Sequence, residues 1–206
     1  MRPVDIREYK NELRARYKAS RRALPPEEKE RLDELIAEKV SRLYQYKSCK
    51  TLYIYVSTAI EVDTIRIIER ALSEGKRVAT PRCIPGTRLM EFHYIEGIDQ
   101  LQPGSFRVLE PDESRPIARD YNASLMIVPA LSLDSRGYRL GYGKGYYDRY
   151  IAGFTGPTAG ICYAADCRRH MYHGRFDRPV DVIVTERNIR RAKAAGTTGY
   201  GKGFGR

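Results

Sequence analysis

Thr51-Leu52-Tyr53-Ile54-Tyr55-Val56-Ser57 is a run of β-branched and aromatic residues, the composition of a strand. Residues 63–74 then carry a helical apolar pattern that stops at Gly75, and residues 77–80 return to a strand-like run. Strand, helix and strand in this order make a β-α-β unit, so the spacing predicts an α/β protein with a largely parallel sheet.

The rest of the chain extends the unit in both directions. Upstream, Tyr9, Leu13 and Tyr17 recur at helical spacing, and a second helix after Pro25-Pro26 carries Leu32, Leu35, Ile36, Val40 and Leu43. Downstream, residues 89–95 read as a strand, and Pro103-Gly104 and residues 111–116 as connecting loops. Residues 125–128 form a short, continuously apolar strand, residues 146–152 a helix, and residues 159–163 and 180–185 two further buried strands. The expected architecture is one three-layer α/β/α domain with a mostly parallel central sheet, Rossmann-like, over residues 1–188. Residues 189–206, rich in Arg, Lys, Ala and Gly, are expected to form a disordered basic tail, because they hold too little apolar surface to offset the entropy of ordering. Tyr200-Gly201-Lys202-Gly203 repeats the words of Tyr142-Gly143-Lys144-Gly145.

A chain of 206 residues, 42% hydrophobic and 31% charged, has the makings of one globular core. No apolar run approaches the ~20 residues that cross a bilayer, and Met1-Arg2-Pro3-Val4-Asp5 lacks a secretory h-region, so a cytoplasmic protein without a membrane partner is expected. Cys49, Cys83, Cys162 and Cys167 are scattered, as reduced thiols are. The formal charge of +11 attracts polyanions: a nucleoside triphosphate, a polyglutamylated cofactor or nucleic acid.

The segment Asp134-Ser135-Arg136-Gly137-Tyr138-Arg139-Leu140-Gly141-Tyr142-Gly143-Lys144-Gly145-Tyr146-Tyr147-Asp148-Arg149-Tyr150 concentrates the chemistry. Alternating Gly141, Gly143 and Gly145 permit positive φ, Lys144 adds a cation, and the following helix offers its positive end, which together would cradle a phosphate. The pattern is neither a P-loop nor a Rossmann turn, and glycines alone are equally those of a surface loop. Arg139, Lys144 and Arg149 gather cations around them. Asp148, in the first helical turn, suits either a phosphate-bridging magnesium ion or the helix dipole.

This segment resembles the signature of the 5-formyltetrahydrofolate cyclo-ligase family. The likeness continues in order through Lys10-x-x-Leu13-Arg14, Ser57-x-x-x-Glu61-Val62, Phe106-Arg107-Val108-Leu109-Glu110-Pro111 and Val180-Asp181-Val182-Ile183-Val184-Thr185-Glu186, and spans residues 7–186. It implies an ATP- and magnesium-dependent ligase of one-carbon metabolism that converts 5-formyltetrahydrofolate to 5,10-methenyltetrahydrofolate, with ADP and phosphate released. ATP phosphorylates the formyl oxygen and ring closure follows, with no protein nucleophile.

The resemblance also implies a site. Lys10, Arg14 and Lys144 would stabilise the phosphoryl charge, and ATP would be held by Lys10, Arg14, Arg139, Leu140, Gly141, Tyr142, Gly143, Lys144, Gly145, Tyr146 and Tyr147. Folate would meet Glu61 and Tyr142, Gly143, Lys144, Gly145 and Tyr146; Asp148 and Asp181 would hold Mg2+. Read without it, Lys10 and Arg14 are a solvated pair one turn apart, Glu61 a helix N-terminal charge, Asp181 a loop residue, and the tyrosines core packing. Three positions depart from the family pattern: Ala130 for glycine, Leu133 for phenylalanine, and Asp166 for glutamine, the last adding charge near the expected cleft. Two rivals differ in class. The basic surface and tail suit nucleic acid, and Cys162, Cys167, His170 and His173 suggest zinc, although C-x4-C-x2-H-x2-H is not a standard ligand spacing.

Overall fold

The computed structural model describes residues 4–193. The chain runs α1 (Ile6–Arg22), α2 (Pro26–Arg42), α3 (Tyr44–Ser48), β1 (Thr51–Ile54), α4 (Ile65–Ser73), β2 (Arg77–Cys83), β3 (Met90–Ile95), β4 (Leu101–Pro103), β5 (Leu109–Pro111), β6 (Ser124–Pro129), β7 (Ser132–Leu133), β8 (Arg139–Leu140), α5 (Tyr146–Ile151), β9 (Thr158–Ile161), β10 (Val182–Val184) and β11 (Ile189–Arg191). Seven strands form one sheet in the order β11-β10-β9-β6-β1-β2-β3. Its interior, from β10 to β2, is parallel, and β3 and β11 close the edges antiparallel.

The apolar runs of β1 and β6 follow from burial on both faces. Leu52 and Ile54 join Leu125 and Ile127 on one side, while Tyr53 and Met126 point to the other. The first side is covered by α2, α3 and α4 through Ile36, Val40, Tyr46, Ile67 and Ile68; removing a fully buried aliphatic chain such as Ile36 would cost about 2–5 kcal/mol. The second side carries the six-residue α5, Leu133 of the β7–β8 hairpin, Val180 and aromatic loops, with Tyr53 edge-on to Phe92, Tyr121 and Phe154 at 5.2, 5.6 and 5.2 Å. The three-layer expectation therefore holds, with one thin layer. Helix α1 stands apart from both sides: its N-cap Asp5 accepts from the amides of Arg7 and Glu8, and Leu13 and Tyr17 pack on Leu131, Leu140 and Met171.

From β1 the chain moves to β2 on one side and later to β6 on the other. The carboxyl ends of β1 and β6 thus flank a topological switch point, where open α/β sheets place ligands. The tail boundary needs correction. Ile189–Arg191 is a sheet strand, paired with β10, because an edge strand needs only backbone partners and tolerates arginine. Residues 194–206, including the repeated Tyr200-Gly201-Lys202-Gly203, lie outside the described residues.

Candidate active site

A cavity of about 860 Å³ opens at the switch point. Tyr55 and Val56 after β1, Pro129 at the end of β6, and Pro81 and Cys83 of β2 form its base; α1 and the glycine segment form another wall.

The hairpin of β7 and β8 aims that segment. The buried carboxylate of Asp134 accepts from the amides of Arg136 and Tyr138 at 2.9 and 3.0 Å and from Met171 at 3.1 Å, closing the turn. Gly137 takes φ +85° against Val180, whose carbonyl would lie 2.3 Å from any Cβ. The spacing Asp134-x-x-Gly137-x-Arg139 is thereby a turn that delivers Arg139 into the cavity wall.

Cations converge there. Arg14 Nε donates to the Gly141 carbonyl at 2.8 Å, and its guanidinium lies 3.0 Å from where a Cβ on Gly143 would stand. Lys10 pairs with Asp177. Arg139 donates to Asp148 Oδ1 and to the Arg178 carbonyl, both at 2.7 Å. Lys18 lies 4.9 Å over the Tyr142 ring and Lys144 5.6 Å over Phe106. Burial holds Arg14 and Arg139 below the ordinary arginine value, against the opposing pull of Asp177 and Asp148 respectively. Both remain cationic, so an arriving anion would regain solvation that burial has removed.

The lining is also aromatic and acidic. Glu61, almost fully buried, accepts from the Thr58 amide and hydroxyl at 2.8 Å each, so it is a loop residue rather than a helix N-terminal charge. The Tyr147 hydroxyl is buried without a partner, and burial followed by Glu61 pushes it well above the ordinary phenol value. Tyr146 donates to the Thr87 carbonyl at 3.3 Å and stands edge-on to Phe106 at 6.0 Å. Burial, with Glu110 behind it, pushes the Cys83 thiol up to about 11.

The cavity thus brings together Lys10, Arg14, Glu61, Arg139, Gly141, Tyr142, Gly143, Lys144, Gly145, Tyr146, Tyr147 and Asp148. Leu140 lies beneath it, buried against α1. Gly143 and Gly145 take the positive φ expected, whereas Gly141 does not, and α5 is too short to supply much of a helix dipole. Asp181 does not line the cavity: at the start of β10 it accepts from the Thr158 amide and hydroxyl at 2.8 Å each. Of the two expected magnesium ligands, Asp148 stands on the cavity wall and Asp181 just beyond its lining. Among the described residues no group of three acidic, histidine or cysteine side chains could hold a metal, and Asp148 is engaged by Arg139.

The zinc grouping fails. Cys162 is buried beside Arg21, His170 meets Arg136 at 2.7 Å, and His173 stacks on Tyr138 at 3.6 Å. Asp166 is compensated: buried, it accepts from Arg21 Nε at 2.9 Å outside the cavity lining. The cavity also contains residues that the sequence reading omits. Lys18 was legible, being one turn beyond Arg14 on the Lys10 stripe; Phe106 and Glu110 stood in a matched motif without an assigned role, and Asp177 gave no local signal.

A switch-point cavity lined by cations, glycines, aromatic rings and acidic groups defines a small-molecule enzyme of α/β class that handles a phosphorylated ligand. More particularly, the chain belongs to the 5-formyltetrahydrofolate cyclo-ligase family, whose model matches residues 6–186. It is 36% identical over 173 residues to a probable 5-formyltetrahydrofolate cyclo-ligase of Schizosaccharomyces pombe, covering 76% of this chain and 84% of that one. It is 33% identical to the 5-formyltetrahydrofolate cyclo-ligase of Mus musculus, covering 73% and 77%. The solved 5,10-methenyltetrahydrofolate synthetase of Aquifex aeolicus superposes with a TM-score of 0.79 at 28% identity, over 94% of this chain and 97% of that one.

Proposed function

We propose that this chain converts 5-formyltetrahydrofolate and ATP to 5,10-methenyltetrahydrofolate, ADP and phosphate within the one cavity. The observation that carries the reading is the lining of that cavity: the cations of α1 meet the glycine segment at the Arg14–Gly141 bond, and tyrosines and the buried Glu61 face the same space. The cations suit a triphosphate, the tyrosines and Glu61 a pterin.

The formyl oxygen attacks the γ-phosphorus, a P–O bond forms, and the bond to ADP breaks. N10 then attacks the activated carbon, loses its proton, and phosphate departs with the former formyl oxygen. Charge grows on the transferring phosphoryl oxygens, so Lys10, Arg14 and Lys144 act by positioning and electrostatic stabilisation. Glu61 and Tyr146 hold the folate. Magnesium belongs to the substrate in this reading, arriving on the ATP phosphates, where one or two carboxylates and water suffice. The reaction takes place in the cytoplasm, which suits four free cysteines.

The test is to mix the purified protein with 5-formyltetrahydrofolate, ATP and magnesium and follow the absorbance of the methenyl product. Product should require both substrates and fall at least tenfold in Lys144→Ala. Absence of product, or an unchanged rate in Lys144→Ala and Arg14→Ala, would overturn the reading.

A further inference from the structure

Two carboxylates line the cavity with almost no exposure, Glu61 at 7% and Glu110 at 5%. Their oxygens are differently employed. Glu61 Oε2 already takes two short bonds from Thr58. Glu110, on β5, accepts one long bond, from the Cys83 amide to Oε1 at 3.3 Å, has the weakly donating Cys83 thiol beside it, and pairs with no cation among the described side chains. So buried a carboxylate bears a heavy desolvation cost until donors reach its oxygens.

The surroundings keep this carboxylate in place and leave it room for a ligand. Oε2 sits where a Cβ on Gly104 would come within 2.5 Å, so glycine there permits the approach. Phe106, 60% exposed and held at φ 59°, and Tyr146 wall the same end of the cavity. A bulky residue at positive φ is strained, and such strain persists where the surroundings impose it. A flat ring that slides along these aromatics reaches a group that only accepts hydrogen bonds. The matching chemistry is two adjacent N–H donors on one edge.

We propose that Glu110 is a specificity-determining residue whose carboxylate accepts the ring N–H and exocyclic amino donors of the aminopyrimidine edge of the pterin, turning the formyl group toward the cationic wall. The inference rests on the proposed cyclo-ligase reading and deepens it. Glu61, with one oxygen already satisfied, holds the folate elsewhere.

The test compares 5-formyltetrahydrofolate with its 2-desamino-2-methyl analogue, which lacks the exocyclic donor, at saturating ATP in wild type, Glu110→Gln, Gly104→Ala and Glu61→Gln. Wild type should prefer the natural substrate by about ten- to a hundredfold in kcat/KM, the worth of one or two hydrogen bonds to a charged group. Glu110→Gln should lose most of that preference while the KM for ATP stays constant. Gly104→Ala, which keeps the carboxylate but crowds it, should show a smaller loss of the same kind and serves if Glu110→Gln does not fold. Full preference retained in both variants, or preference lost only in Glu61→Gln, would overturn the proposal with the cyclo-ligase reading intact. No turnover of the natural substrate by wild type would overturn both.

Discussion

Arg14 Nε donates to the carbonyl of Gly141 at 2.8 Å, a bond that spans 127 residues of sequence and joins the first helix to the glycine segment. Helix α1 contributes little to the main core; its apolar residues pack on Leu131, Leu140 and Met171, and Tyr9 meets Tyr172 edge-on at 5.1 Å. The bond therefore serves the site more than the fold.

Arg14→Ala should raise the KM for ATP and lower kcat/KM by about ten- to a hundredfold, the range for a lost charged hydrogen bond, with little change in melting temperature. Steady-state kinetics and thermal unfolding on the same preparation check both. Equal kinetics in variant and wild type would remove Arg14 from the site.

The Arg21–Asp166 pair should behave in the opposite way. Both side chains are buried, and Arg21 also donates to the Ala130 and Leu131 carbonyls at 2.9 and 3.0 Å. Asp166→Ala leaves a guanidinium buried without its counter-charge and should cost about 3–5 kcal/mol in urea unfolding. Neither residue lines the cavity, so the KM for ATP of the folded variant should stay near that of wild type.

Much of this arrangement could be read from sequence, and what could not has physical causes. The runs at β1 and β6 announced themselves because strands buried on both faces must be apolar throughout. Helix α3 is five residues long, too short for a periodic signal, and β11 is held by backbone pairing that its arginines do not advertise. Within the site, Asp148 was marked by its place in the first turn after the glycines, and Lys10 and Arg14 stood one turn apart, but their role and that of Glu61 came only through the family likeness. Asp181 likewise owes its candidate role to that likeness, and its carboxylate joins the starts of β9 and β10 through Thr158, a contact that no motif shows. The partners of Lys10 and Arg21, Asp177 and Asp166, come from segments 167 and 145 residues away.

Two glycines separate folding from function. Gly137→Ala forces a Cβ to 2.3 Å from the Val180 carbonyl at φ +85° and should lower stability by several kcal/mol. Gly143→Ala, at φ +94° beneath the Arg14 guanidinium, meets a movable side chain instead. It should cost about 1–3 kcal/mol of backbone strain and impair ATP use disproportionately. Parallel unfolding and ATP titrations distinguish the two; a greater loss of stability in Gly143→Ala than in Gly137→Ala would contradict this assignment.

Cysteine labelling tests the electrostatics. The Cys83 thiol is raised to about 11, so below that pH its thiolate fraction is smaller than that of an ordinary thiol and grows about tenfold per pH unit. Cys167 is lowered by its hydrogen bond with Cys162, which outweighs its own burial. Alkylation followed by peptide mass spectrometry should modify Cys167 first at pH 7, with the Cys83 rate climbing steadily to pH 10. Saturating 5-formyltetrahydrofolate should protect Cys83, which lines the cavity, and leave Cys167 unaffected.

The central claim is that the formyl oxygen leaves as part of phosphate. Turnover of 5-formyltetrahydrofolate labelled with heavy oxygen at the formyl group measures this directly, by mass spectrometry of the released phosphate. One labelled oxygen per phosphate is the predicted result; unlabelled phosphate formed alongside methenyl product would contradict phosphoryl transfer to the substrate in this cavity.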